Sequence, residues 1–100
     1  MHMHIFQLVL EAGPEQATYC EGEKIAAVCM VNSEDTELAR NRACDRLFEL
    51  GWRAATFEKT VVLPPSGNID HFDALMAESY KDAKRLGVSL IEFPEPKGAT

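Results

Sequence analysis

Between Ile69 and Leu86, apolar or small residues recur at spacings of three and four: Ile69, Phe72, Leu75, Met76, Ser79, Tyr80, Ala83 and Leu86. That period puts them on one side of a helix spanning Ile69 to Leu86. A helix with one apolar stripe must bury it against a second layer. The rest of the chain therefore has to supply a broad apolar surface.

Strands supply it. Met1 to Leu10 alternates, with His2, His4, Phe6, Leu8 and Leu10 on one face and Met3, Ile5, Gln7 and Val9 on the other. Ala12-Gly13-Pro14 ends the run, and Glu11 to Glu23 reads as an acidic loop. Lys24 to Asn32 is apolar on both faces, the pattern of a central strand. The two strands most simply pair antiparallel. Ser33 is expected to cap a helix that carries Glu34, Asp35 and Glu37 in its first turn. This helix runs to about Leu50, and Gly51 takes the left-handed position after it.

Trp52 to Leu63 reads as a third strand, and Pro64 to Asn68 as a turn. Val88 to Phe93 is a last short strand, leaving 94–100 as a frayed tail. The order is β-β-α-β-α-β within one α+β domain over residues 1–93. With both helices on one face of a four-stranded sheet, the expected form is a two-layer sandwich of ferredoxin-like character. Strand order stays open.

One hundred residues is the size of a single domain, and 46% apolar with 26% charged residues is globular composition. No apolar run is long enough to cross a bilayer, and the N-terminus lacks the layout of a secretory signal. A net charge of −6 disfavours phosphate backbones, so neither nucleic acid nor membrane is an expected partner. Cys20, Cys29 and Cys44 form an odd set with no CxxC, which fits reduced thiols in the cytoplasm. Cys29 and Cys44 read as small buried hydrophobes. Cys20, in the acidic loop, is the one expected to be exposed.

Few residues suggest chemistry. His2 and His4 share a strand face about 7 Å apart, a spacing that suits two ligands of one metal, but no third ligand is fixed by spacing. Asp70-His71-Phe72-Asp73 puts a histidine among carboxylates, and His71, Glu78 and Asp82 line one flank of the second helix. Arg40 sits on the inner side of the first helix between Ala39 and Ala43, where it can snorkel or meet a carboxylate of the second helix. The core stripe through Ala39, Ala43, Leu47 and Leu50 leaves Leu38 and Phe48 outside it. No nucleotide-binding, hydrolase or calcium-loop motif is present.

Val31-Asn32-Ser33-Glu34-Asp35, followed by Ala39, Ala43, Leu47 and Gly51-Trp52, resembles a helix-then-strand unit of small uncharacterised bacterial α+β proteins. The resemblance implies the same architecture and carries no activity. Three functional readings follow. The leading one is a non-catalytic, cofactor-free interaction or accessory protein, homodimeric or bound to a protein partner, with Leu38 and Phe48 at the interface. The second is a ligand-binding domain or enzyme using His71, Arg40 and Glu78. The third is metal handling through His2 and His4.

Overall fold

The computed structural model describes residues 1–64 and 69–93. It contains β1 (His2–Ala12), β2 (Lys24–Ser33), α1 (Thr36–Glu49), β3 (Trp52–Leu63), α2 (Ala74–Leu86) and β4 (Val88–Phe93). The strands form one sheet in the order β3-β1-β2-β4, with every neighbouring pair antiparallel. The α+β class, the element order and the antiparallel β1–β2 pairing are those expected. Most of the proline-containing turn and the tail at 94–100 lie outside the described residues.

The layering is not as expected. On one face Phe6, Leu8, Leu10 and Ala12 of β1 join Ile25, Ala27, Cys29 and Val31 of β2, and α1 covers them with Ala39, Ala43 and Leu47. The residues of opposite parity, Met3 and Met30, form a second core with Tyr80 and Ala83 of α2. Ile5, Val28, Leu63, Ile69, Phe72 and Met76 pack around that second core. Alternate residues of a strand point to opposite faces, so α1 and α2 lie on opposite sides of the sheet. The described residues form three layers, which corrects the two-layer expectation and removes the ferredoxin-like arrangement of helices.

The cause lies in the central strands, whose side chains are apolar on both faces. A helix on one face alone would leave Met3, Ile5, Val28 and Met30 in water. Each large apolar side chain so exposed forgoes roughly 1.5–3 kcal/mol of burial.

Both helices begin later than the sequence suggests. Asp35, not Ser33, caps α1, accepting a 2.7 Å hydrogen bond from the Leu38 N–H. Ser33 instead ends β2, fully buried. Asp73 caps α2 by accepting from the Met76 N–H at 2.8 Å. Ile69 to Phe72 form a preceding turn, closed by a Phe72 N–H to Ile69 carbonyl bond, and still reach the second core.

After α1, Gly51 has φ +91°, and a Cβ there would lie 2.7 Å from the backbone of Gln16. The Gly13 N–H donates to the Gly51 carbonyl at 2.9 Å, which docks the acidic loop against the end of α1.

Candidate functional site: the outer edge of β4

The residues expected to carry chemistry are dispersed. The Arg40 guanidinium lies over the Phe57 ring of β3, 4.5 Å from its centroid, on the α1 face. The His71 ring stands edge-on to Phe72, 4.8 Å between centroids, on the α2 face, and Glu78 is an exposed residue of α2. The sheet separates Arg40 from the other two, so these three side chains do not converge.

His2 is exposed while His4 is buried, its Nδ1 3.1 Å from the His2 carbonyl oxygen and its ring stacked 6.3 Å from Phe6. Among the described residues no group of three or more His, Cys, Asp or Glu side chains is placed to hold a metal.

The cysteines divide as expected except at one position. Cys20 is exposed and Cys29 buried, but Cys44 is exposed, a correction to its reading as a core residue. It lies on the flank of α1 beyond the Ala39–Ala43–Leu47 stripe. Burial, and secondarily the neighbouring Cys44, pushes the Cys29 thiol up to about 12. A thiol so held is protonated at neutral pH and a poor nucleophile.

Leu38 and Phe48 are both outward, 40% and 79% exposed. Ten residues of helix rise separate them by about 15 Å, so they do not make one patch. Phe48 instead flanks two shallow grooves of about 350 and 270 Å³ that share Trp52 and Arg53. Trp52 is buried, 5.3 Å from Tyr19, and its Nε1 has no hydrogen-bond partner among the described residues.

The larger groove, about 520 Å³, lies elsewhere. It is lined by Arg46 and Leu50 of α1, Leu75 of α2, and Val88 to Glu92 of β4. Its floor is the outer edge of β4. No described strand pairs with that edge, since β4 has β2 as its single neighbour in the sheet.

The orientation of the backbone along β4 follows from one bond. The Asn32 N–H donates to the carbonyl of Gly87, the residue directly opposite in the β2–β4 register. Hydrogen-bonded and non-hydrogen-bonded pairs alternate in an antiparallel ladder. Ser89, Ile91 and Phe93 therefore point their backbone groups at β2, while Val88, Leu90 and Glu92 point theirs outward. Exposed apolar side chains lie near this edge at the two ends of α2: Leu75 is 54% and Leu86 67% exposed.

Sequence reasoning missed this site. The signal was a final strand, Val88-Ser89-Leu90-Ile91-Glu92-Phe93, carrying a single charge, whereas edge strands in water are ordinarily guarded by charges, bulges or proline. No described helix is long and apolar enough to cross a membrane. Comparisons with protein-family models, with curated proteins and with solved structures found no match to this chain.

Proposed function

We propose that the protein is a non-catalytic interaction domain that self-associates. One observation carries the reading: among the described residues no strand pairs with the outer edge of β4, where three residues' backbone groups face outward at the floor of a groove lined by exposed Leu75, with exposed Leu86 beside Val88 at the strand's start. Backbone groups at an open edge act as a template for a further strand. Dispersal of Arg40, His71 and Glu78 over both faces of the sheet gives the enzyme reading no common centre.

Native mass spectrometry or sedimentation of the purified protein tests the proposal. A dimer is expected in the micromolar range. A strictly monomeric protein at about 100 μM, far above the dissociation constants of ordinary specific interfaces, would overturn it. Phe48→Asp examines the alternative surface on α1. If that substitution dissolves the dimer while the fold survives, the interface lies at Phe48 and Trp52 and not at β4.

A further inference from the structure

Resting on the self-association reading, we infer the partner and the register: a second copy of the chain adds its own β4 antiparallel to β4, with Leu90 beside the two-fold axis. The two sheets then continue into one of eight strands.

The register follows from which backbone groups are free. Val88, Leu90 and Glu92 point outward, and an antiparallel seam needs outward residues to face each other in hydrogen-bonded pairs. Placing Leu90 opposite its own copy brings Val88 opposite the copy's Glu92, and Glu92 opposite its Val88. All outward residues of both chains are then paired, each facing pair exchanging two bonds. Sliding the strands by two residues in either direction leaves one outward residue of each chain without a facing strand residue. The centred register therefore satisfies the most backbone.

The same register matches charges. Arg46 lines the groove and also sits beside Leu86, Gly87 and Val88, at the beginning of β4. Glu92 lies four residues further along the strand, on the same face as Val88 and Leu90. A two-fold axis at Leu90 superposes these ends, so each Arg46 meets the Glu92 carboxylate of the other copy, twice per dimer. Among the described residues these groups have only weak ties within one chain. Arg46 reaches exposed Glu49 at 3.3 Å, and Glu92 accepts from the Tyr19 hydroxyl at 3.4 Å.

The axis is perpendicular to the sheet, so each helix meets its own copy on its own face. Leu86, beside Val88 at the start of β4, is brought toward Leu75 of the other copy, which lines the groove over β4. The exposed ends of the α2 stripe would thereby cover one another.

The test is a charge exchange read by sedimentation equilibrium. Arg46→Glu or Glu92→Arg alone should raise the dimer dissociation constant by about tenfold, and the double variant should return it to within about threefold of the parent. Glu92→Pro removes an outward N–H that β2 does not use, and proline is tolerated at such positions. It should leave a folded monomer by circular dichroism. Should Arg46→Glu merely be uninformative through its loss of the Glu49 pair, the double variant decides, because it recovers only when the two side chains face each other.

If the parent protein dimerises and neither Glu92→Pro nor the charge exchange changes its affinity, the β4 register is wrong while self-association stands. If the parent is monomeric, both fail. A parent monomer that pairs with an extended peptide through β4, lost in Glu92→Pro, would likewise overturn the second copy as occupant.

Discussion

The two edges of the sheet are built in opposite ways. β3 spans 12 residues and is bulged twice against β1, where Glu58 and Arg53 are the extra residues at the register shifts. Both bulge residues are charged, and Lys59 follows the first. Arg53 is further held by Glu11 at 2.7 Å and Glu21 at 3.1 Å. Bulges twist an edge away from would-be partners, and charges there must be desolvated before a strand can add. β4 is short, which is itself some protection, but its ladder to β2 has no register shift and it carries only Glu92. A long edge is closed by irregularity, and a short, regular one has no further strand beside it among the described residues.

The anchoring of the edges differs too, and this gives the largest expected effect. β3 begins at Trp52, 3% exposed and packed on Tyr19, while β4 is held by Ile91, 6% exposed. Trp52→Ala should cost about 3–5 kcal/mol, and Ile91→Ala about 2–3 kcal/mol. Urea denaturation would reverse this ranking of the edges if Ile91→Ala proved the more damaging.

The next effect concerns opening at β4. Cys29 of β2 lies opposite Leu90 in the ladder, and burial holds its thiol at about 12 against an ordinary value of 9.0. The folded state keeps this proton where the unfolded chain loses it. The resulting stability is complete below pH 9 and disappears as pH rises toward 12, at up to about 1.4 kcal/mol per pH unit. Alkaline denaturation followed by circular dichroism should show that slope, and Cys29→Ala should flatten it. At neutral pH a thiol reagent should modify Cys20 and Cys44 at once and Cys29 only through opening. If β4 is sealed by a second copy, Cys29 labelling slows with protein concentration; no such slowing would mean that β4 opens independently of association.

Most of the elements were legible in the sequence because each has a strong local cause. The α2 stripe has a 3.6-residue period, Gly51 has a positive φ, and β2 is apolar along its whole length. The layering is written in the sequence as well. A strand such as β2, apolar at Ile25, Ala27, Cys29 and Val31 and again at Val28 and Met30, asks for a helix on each face. Cap positions shifted because Asp35 and Asp73 compete with their neighbours for the first-turn N–H groups, a contest of local geometry that composition does not settle. The candidate site was hidden for a different reason. A free edge is defined by the absence of a neighbour, and strand order depends on contacts remote in sequence.

Stripping the guards from β3 should make the edges alike. Glu58→Val with Lys59→Val removes both charges at the bulge while leaving the core untouched, since both side chains are exposed. The expected outcome is a second adhesive edge, so that dimers joined through β4 grow into open chains and sedimentation broadens beyond the dimer. With self-affinity raised by about tenfold, equivalent to ~1.4 kcal/mol, this would be visible in the micromolar range. A double variant that keeps the parent's mass distribution would show that the backbone irregularity, and not the charge, closes β3.

The smallest effect tests how α1 braces the closed edge. Arg40 lies over Phe57, whose ring in turn meets Phe6 edge-on at 5.2 Å, so one cation links the helix, the edge strand and the central strand. A partly exposed cation–π contact contributes about 0.5–1 kcal/mol. Arg40→Met keeps much of the apolar stem and removes the charge, so it should lower stability by that amount, whereas Arg40→Lys should retain part of it. The readout is the urea midpoint, combined with Phe57→Leu in a double-mutant cycle. A coupling near zero would mean that Arg40 merely covers Phe57 with its methylenes. A measurable coupling would mean that the β3 edge is held shut from the helix side as well as by its own bulges.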